Sequence, residues 1–430
     1  MPFATHAAPL AFPGAEGFGA IAIGGRHGRV LRVTNLNADG PGSLQAACAA
    51  DGPRIVVFAV AGVIRGDVFI KHSRITIAGQ TAPAPGITLA GRLIARPDTP
   101  QRLTDIVVRH LRLRPPPIGG HEGDVIQIPN SERVMLDHLS LAWGSDEMID
   151  IIQSADVTVQ WSTIEESDPA GHAKGMAHNY GLLSAYPGSG NVSILRNLFA
   201  HHARRLPSVS PAEAGRPADF RNNVVYNFRD GLSDEGHVPH APVNLVGNYY
   251  KRGPSARRIN PFHFHPQGSY YVADNYLDGA GMLSDVRPGA RGLPAWVRVT
   301  GGGTFLAQPA PVPYTTTTTA AQAYAAVLQR AGAFPRDQVT RRTVAEVQSG
   351  TGAWRRQGPP APTNDWFLDG LPRASAPTDS DSDGMPDAWE RRHGLDARDP
   401  RDANRVLRGG YTAIESYLNE RAAEVEARGH

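Results

Sequence analysis

The feature that most constrains the fold of this chain is a repeat of short β-prone runs. Runs in which apolar and polar residues alternate begin at Ile75, Ile106, Val134, Val157, Val192, Ala218, Val243 and Tyr270. Successive starts are 31, 28, 23, 35, 26, 25 and 27 residues apart. Strands of constant length joined by connections of variable length are typical of a solenoid whose loops lengthen on one face. The alternative is a β-sandwich with coincidental spacing, which so many runs in one register argue against.

The last four runs carry an asparagine at one shared position, namely Asn197, Asn223, Asn248 and Asn275. Asparagine tolerates left-handed helical backbone, and stacked side-chain amides can hydrogen-bond their neighbours. We therefore expect an all-β fold, a parallel β-helix. The segment from Ser43 to Ala50 has the pattern of a short capped helix, which would cover the open N-terminal end of the stack.

Composition and charge exclude several classes of protein. Cys48 is the only cysteine, so neither a disulfide framework nor a four-cysteine zinc site is possible. A net charge of +2 argues against a nucleic-acid binder. No run approaches the roughly 18 apolar residues of a membrane span, so no membrane partner is expected. The first eleven residues lack the basic start and apolar core of a signal peptide.

Residues 379–390, DSDSDGMPDAWE, have the spacing of a calcium-binding loop of the EF-hand type. Such a loop places oxygen ligands at alternating positions, a glycine at position six and a closing glutamate at position twelve. The ligands predicted here for a structural calcium ion are Asp379, Asp381, Asp383, Asp387 and Glu390. Pro386 blocks a conventional entering geometry, which favours an EF-hand-like or thrombospondin-repeat-like loop. The alternative is a solvated acidic linker.

Between the repeat and this loop the pattern becomes helical. One helix is predicted after Thr319 and ends near Gly332, and a second is predicted around Val339 to Val347. We therefore expect three regions. They are a β-helix over 1–300, a helical and irregular packing segment over 301–377, and a small, mainly helical calcium-loop tail over 378–430.

An acidic cluster lies within two repeats of the solenoid, in the segment LDHLSLAWGSDEMID. It contains Asp137, Asp146, Glu147 and Asp150. Carboxylates crowded at a coil edge repel one another unless a cation neutralises them, and a hard divalent ion suits oxygen ligands. An ordinary acidic loop is the alternative.

Two clusters of basic residues follow the acidic one. The first contains His172, Lys174 and His178 in the longest connection, and the second is His201, His202, Arg204 and Arg205. Zinc bound by the four histidines would fit no familiar spacing. Together with the carboxylates, these groups suit removal of the C5 proton of a uronate. A calcium ion would neutralise the adjacent carboxylate, and cationic side chains would bind the flanking ones.

Several segments carry a resemblance to a known family. They are FPGAEGFGAIAIGGRHGRVLRVTNLNADGPGSLQAA, ITIAGQTAPAPGITL, LDHLSLAWGSDE, HAKGMAHNYG, HHARRLP, RNNVVYNF and VNLVGNYY. On these segments the chain resembles the pectate lyases of polysaccharide lyase family 1, particularly a bacterial branch with a C-terminal calcium-loop tail. The resemblance implies a right-handed β-helix. It also implies a secreted or periplasmic enzyme that uses Ca²⁺ to cleave α-1,4-linked polygalacturonate by β-elimination.

The resemblance also assigns roles to individual residues. Asp137, Asp146 and Asp150 match calcium ligands, with Glu147 as an alternative third ligand. Arg205 matches the arginine taken as the base, and Lys174 matches a lysine that contacts substrate carboxylate. Because free arginine is effectively always protonated, His178 or His172 is the alternative base.

The chain departs from the better-known members beyond Arg205, where it has Ser208 and Ser210 in place of two arginines. Substrate carboxylates would then be bound by Arg204, Arg216 or Arg221. The partner is expected to be an acidic, pectate-like polysaccharide and the protein a monomer. Open alternatives are a lyase for another uronate polymer, a metal-independent β-helix glycoside hydrolase with paired carboxylates, and a non-catalytic carbohydrate-binding β-helix.

Overall fold

A computed structural model describes residues 9–116, 123–168, 178–211, 215–234, 241–284, 286–354 and 364–428. Within these residues the chain winds through three sheets in a repeating order, and each coil adds one strand to each sheet. All pairings are parallel except the last one in the second sheet. The predicted parallel β-helix is therefore confirmed. No helix among the described residues is long and apolar enough to cross a membrane.

Sheet A contains eleven strands of the described chain. They are β1 (Arg29–Val33), β2 (Arg54–Phe58), β5 (Ile75–Ala78), β8 (Leu103–Arg109), β11 (Ser131–Asp137), β14 (Ala155–Gln160), β17 (Gly190–Leu195), β20 (Ala218–Arg221), β23 (Val243–Val246), β26 (Ser269–Ala273) and β30 (Thr304–Phe305). The runs recognised in the sequence are the strands of this sheet. The sheet begins two strands before the first of those runs.

Sheet B follows sheet A in each coil and has ten strands within the described residues. They are β3 (Gly62–Arg65), β6 (Ile87–Ala90), β9 (Arg112–Leu113), β12 (Ser140–Leu141), β15 (Thr163–Glu165), β18 (Leu198–Ala200), β21 (Val224–Tyr226), β24 (Tyr249–Lys251), β27 (Tyr276–Leu277) and β28 (Gly281–Met282). Sheet B strands contain two to four residues, so they are too short to give a period in the sequence.

Sheet C completes each coil and has nine strands in the described part of the chain. They are β4 (Val68–Ile70), β7 (Leu93–Ala95), β10 (Ile126–Gln127), β13 (Ile149–Ile152), β16 (Leu182–Ala185), β19 (Ser208–Val209), β22 (Asp230–Ser233), β25 (Ile259–Phe264) and β29 (Val297–Gly301). Apolar side chains from all three sheets fill the interior of the solenoid.

The asparagine ladder lies at the turn from sheet A to sheet B. The backbone N–H of Asn197 donates to Asn223 Oδ1 at 2.8 Å, and the backbone N–H of Asn223 donates to Asn248 Oδ1 at 2.9 Å. The backbone N–H of Asn248 donates to Asn275 Oδ1 at 3.1 Å. Each buried side chain thus satisfies a backbone donor of the preceding coil, which fixes the vertical spacing of the turn.

Both ends of the chain cover the outside of the solenoid. The predicted cap is helix α1 (Leu44–Ala49), whose N-cap Ser43 accepts from the Ala46 N–H. The N-terminal segment lies against sheet A so closely that a Cβ at Gly19 would be 2.1 Å from the Val134 carbonyl oxygen. The glycines of this segment therefore permit backbone-to-backbone approach.

The C-terminal part contributes four helices within the described residues: α2 (Ala320–Arg330), α3 (Gln338–Ser349), α4 (Asp387–His393) and α5 (Ala413–Arg428). Helices α2 and α3 were predicted, and they pack on the outer face of sheet B. Helices α4 and α5 pack on the first strands of sheet A. Strands continue to Phe305, five residues beyond the expected 1–300 boundary, and the three-region division stays a prediction.

Candidate active site

The acidic cluster lies where the chain passes from sheet B to sheet C. Asp124 and Glu147 both stand two residues before the paired positions Ile126 and Ile149, so parallel register stacks them on adjacent coils. Carboxylate oxygens of Asp124, Asp146 and Glu147 lie within 4.8 Å of one another. That spacing matches the oxygen shell of a calcium ion, whose ligands lie about 2.3–2.6 Å from the metal.

Asp124 was missed from the sequence. The strand that follows Asp124, β10, contains only two residues and produced no recognisable run in the sequence. The signal that could have found it is the register with Glu147, which becomes visible only when β10 and β13 are known to pair. The Glu147 N–H donates to Asp124 Oδ1 at 2.8 Å, and Gln127 Nε2 donates to Asp124 Oδ2 at 2.7 Å.

Asp150 lies beside the cluster on β13, opposite Gln127 of β10. Its Oδ1 is buried and has no hydrogen-bond partner among the described residues. Burial raises the pKa of Asp150, and the charges of Asp124 and Asp146 raise it further. Burial is also the main cause that raises the pKa of Asp124. Crowded, desolvated carboxylates of this kind gain most from a bound cation.

His178 and Arg205 face the cluster from the next coils. His178 Nδ1 lies 2.7 Å from Asp146 Oδ1. The Arg205 guanidinium forms an ion pair with Glu147 and lies 4.4 Å from the centroid of the Tyr180 ring. Arg205 has a φ of 60°, as do many non-glycine residues at the turns of this chain. The Arg205 side chain is 19% exposed, so it can reach a ligand in solvent.

Further arginines lie along the same edge of sheet C. Arg204 Nε is 4.0 Å from Asp230 Oδ2, and Arg229 Nε is 2.7 Å from that oxygen. On the other side of the cluster, Arg92 donates to Asp67 and contributes positive charge near Asp124. Arg92 and Arg229 were not predicted as site residues. They come from coils whose sheet C strands gave no run in the sequence.

Asp137 is not part of the cluster, contrary to the expectation that it binds the same ion. It ends β11 in sheet A, where it is completely buried. Arg109 Nε donates to its Oδ2 at 2.8 Å and Gln160 Nε2 donates to its Oδ1 at 2.8 Å. Burial alone would raise the pKa of Asp137, but the positive charges of His138 and Arg109 outweigh it and hold the pKa far below its usual range. This carboxylate is therefore buried between sheet A and the N-terminal segment, on the outer face of the sheet.

The other predicted site residues have different fates. Arg221 lies on sheet A and donates to Asp219 and Thr317, so it does not face the cluster. Arg216 lies in the turn that leads into β20, beyond the opposite end of the sheet C strands. His172 and Lys174 lie outside the described residues.

The remaining histidines of the zinc alternative have structural partners. The Nδ1 of His202 lies 2.6 Å from Ser167 Oγ, and its Nε2 lies 2.9 Å from the Ile164 carbonyl oxygen. His201 Nε2 lies 3.0 Å from Glu346 of α3. Both rings are fully buried and hold coils and helix together.

The structure thus defines a parallel β-helix protein with carboxylates and arginines gathered on one edge. No family model matches the chain. It is 36% identical to proteins named "Probable pectate lyase C" from Aspergillus fumigatus and Aspergillus terreus, over 95% of this chain and 93% of each relative. A protein of the same name from Emericella nidulans is 34% identical over 96% of this chain and 93% of its own length.

The chain therefore belongs to the pectate lyase family, whose members are polysaccharide lyases. These relatives are fungal, and membership of a bacterial branch stays a prediction. Among solved structures, the chain is similar to a pectate lyase from Bacillus sp. N165 in complex with trigalacturonate, with 15% identity, a TM-score of 0.46, and coverage of 74% of this chain and 98% of that chain. It is also similar to the thermostable pectate lyase PL 47, with 13% identity, a TM-score of 0.49, and coverage of 77% and 99%.

Proposed function

We propose that this protein cleaves pectate by calcium-assisted β-elimination at the edge of sheet C and releases 4,5-unsaturated oligouronides. The observation that carries the proposal is the stacking of Asp124, Asp146 and Glu147 on adjacent coils, with Arg205 directly beside them. A hard cation bound by these carboxylates would lie next to the guanidinium of Arg205.

Asp124, Asp146 and Glu147 would hold the calcium ion, and Asp150 would supply a further oxygen. The donor set fits this ion because every contact is a carboxylate oxygen and one buried oxygen lacks a partner. When bound, calcium would neutralise the substrate carboxylate at C6 and so acidify the proton at C5. Asp137 is not in this proposed ligand set, because its oxygens are committed to Arg109 and Gln160.

Arg205 is proposed to accept the C5 proton, after which the C4–O bond breaks. An arginine can do this only if neighbouring positive charge lowers its proton affinity, which a bound cation and the adjacent Arg204 would favour. His178 is the alternative base. Its Nδ1 is already paired with Asp146, so it is better placed to orient that ligand than to move a proton. The role of Lys174 as a contact to substrate carboxylate stays part of the proposal.

Flanking substrate carboxylates are proposed to be bound by Arg204, Arg229 and Arg92. Arg92 precedes β7, and Arg204 and Arg229 precede β19 and β22, so they lie on both sides of the carboxylates along the stack of sheet C strands, the direction in which a polymer would run. Each is partly exposed and paired with an aspartate that can release it to a ligand. An exported location and a monomeric state remain predictions.

The decisive assay follows the ultraviolet absorbance of unsaturated ends, with polygalacturonate and other uronate polymers as substrates. Calcium should be required, and chelator should abolish the signal. Asp146→Asn should raise the calcium concentration for half-maximal rate by at least about tenfold. Arg205→Lys should lower kcat by about 100-fold or more, as expected for loss of a proton-transfer group.

Arg221→Lys is the matched control, since Arg221 faces away from the site and should keep its wild-type rate. His178→Asn separates the two bases. If His178 is the base, this variant should lose activity as completely as Arg205→Lys and should also lose the acidic limb of the pH–rate profile. Saturated reducing ends formed in the presence of chelator would refute the proposal and favour a hydrolase.

A further inference from the structure

A second candidate cation site lies in the C-terminal tail, far along the chain from the carboxylates of sheet C. The segment 379–390 curls as its sequence predicts. Asp379 Oδ1 accepts from the Ser382 N–H at 2.8 Å, and its Oδ2 accepts from the Gly384 N–H at 3.1 Å. Gly384, at position six, has a φ of 93°. Carboxylate oxygens of Asp379, Asp381 and Asp383 lie within 4.8 Å of one another in this loop.

The tail site contains carboxylate oxygens that are buried without any hydrogen-bond partner in the described chain. They are Asp381 Oδ2, Asp383 Oδ2, Glu390 Oε1, Glu390 Oε2 and Asp402 Oδ1. Glu390 is completely buried, although a carboxylate is costly to bury without a compensating charge. Several buried carboxylate oxygens that lack hydrogen-bond donors are typical of a site that binds a cation.

Asp402 was not predicted, because it lies beyond the twelve-residue loop. It belongs to a short 3-10 helix at Asp402–Asn404, and its Oδ2 accepts from the Asp396 N–H at 2.9 Å. Its carboxylate lies within 4.8 Å of oxygens of Asp383 and Glu390. The chain between α4 and α5 therefore folds back to supply an oxygen that the loop itself lacks.

Asp387, at position nine of the loop, is used differently from the expectation. Both of its oxygens accept from Ser380, one from the backbone N–H and one from the hydroxyl, each at 2.8 Å. Asp387 also begins helix α4, where a negative charge is favourable. Asp387 therefore closes the loop through Ser380, and Asp402 takes the position among the candidate ligands that the sequence assigned to Asp387.

The same loop is the contact between the tail and the solenoid. A Cβ at Gly384 would be 2.8 Å from Val30 Cγ1 and 3.1 Å from Val57 Cγ2, both on the outer face of sheet A. Arg32 donates to Ser382 Oγ at 2.7 Å. Met385 and Trp389 pack in one apolar cluster with Ile55, Val57, Ala78, Ile414 and Leu418.

We propose that a second calcium ion is bound by Asp379, Asp381, Asp383, Glu390 and Asp402, and that this ion fastens the C-terminal tail onto the first coils of the β-helix. Its role is structural and separate from the chemistry at the edge of sheet C. Without a cation, the carboxylates gathered around Glu390 repel one another and oppose the closed loop. Bound calcium removes that repulsion and stabilises the docked tail.

The test uses the full chain freed of metal and titrated with calcium alone. Thermal unfolding, bound calcium per chain and limited proteolysis with mass spectrometry are measured for wild type, Glu390→Gln, Asp402→Asn and Asp387→Asn. We expect calcium to raise the Tm of wild type and to protect the tail from cleavage. Glu390→Gln and Asp402→Asn should lose both effects, with affinity at this site weakened at least about tenfold. Asp387→Asn, the matched control, should bind calcium with nearly wild-type affinity.

Asp146→Asn separates this site from the proposed catalytic one. It should keep the calcium-dependent rise in Tm while losing lyase activity at low calcium. If Asp402→Asn binds calcium at the tail as tightly as wild type, Asp402 is not a ligand. If the wild-type tail is equally protected with and without calcium, the fastening role is wrong. Neither result depends on whether the sheet C site performs β-elimination.

Discussion

The buried carboxylate of Asp137 offers a test of where the proposed catalytic ion binds. The sequence suggests that Asp137→Asn should weaken calcium binding, whereas the structure predicts a loss of stability with calcium affinity unchanged. Asn keeps the shape of the side chain and can still accept from Gln160 Nε2. What it removes is the charge that neutralises Arg109, whose side chain is only 7% exposed.

The size of the effect follows from these contacts. Removing one partner of a buried ion pair costs about 3–5 kcal/mol. Arg109 also stacks 3.6 Å above the Phe12 ring centroid, and such a contact retains about 1–2 kcal/mol of favourable interaction. We therefore expect a net loss of about 1–4 kcal/mol. At roughly 2.1 cal/mol/K per residue over 430 residues, this corresponds to a fall in Tm of about 1–4 °C.

The pH dependence has a definite sign. The pKa of Asp137 is lower in the folded protein than in the unfolded chain, so its stabilising contribution is complete above the unfolded pKa of about 3.9. The Tm difference between wild type and Asp137→Asn should therefore shrink as the pH falls below about 4. Scanning calorimetry measures the Tm, and the calcium dependence of the rate measures the calcium requirement. An unchanged Tm together with a raised calcium requirement would show that Asp137 is a ligand.

Three further predictions follow from single contacts. Asp124→Asn should reduce lyase activity at low calcium and recover it with excess calcium, whereas the sequence assigned Asp124 no role. Asn223→Ala should destabilise the protein by about 2–5 kcal/mol, because the Asn197 backbone N–H and the Ile194 carbonyl lose their buried partner. Asn37→Ala is the exposed control, and equal Tm values for the two variants would contradict a stabilising role of the asparagine ladder. Asp337→Ala should lower the free energy of unfolding by about 3–5 kcal/mol, because Arg114 loses the carboxylate that lies 3.0 Å from its Nε. Chemical denaturation of wild type and variant measures this difference, and a loss below about 1 kcal/mol would refute the prediction.

Much of the architecture was readable from the sequence because it repeats. Sheet A strands contain up to seven residues, enough for alternation to be visible, and the asparagine position recurs once per coil. Sheets B and C were not readable, because their strands contain as few as two residues and the segments between them vary in length. The cap α1 and the helices α2 and α3 were predicted from local capping and periodicity.

The candidate site was only partly predictable for the same reason. Asp146, Glu147 and Arg205 were identified and lie together, whereas Asp137 was close in sequence but is buried on the outer face of another sheet. Distance along the chain says little about distance in a solenoid, since one coil places residues about 23 apart in direct contact, as Asp124 and Glu147 show.

The sequence by itself determined the repeat, the asparagine ladder, the acidic tail loop and the family, because each is a local or periodic pattern. Only the tertiary structure decided which carboxylates lie close together. Parallel register brought Asp124 beside Glu147, and the returning chain brought Asp402 beside Glu390. A metal site is defined by convergence of oxygens in space, and that convergence is set by which strands pair and where the chain turns back.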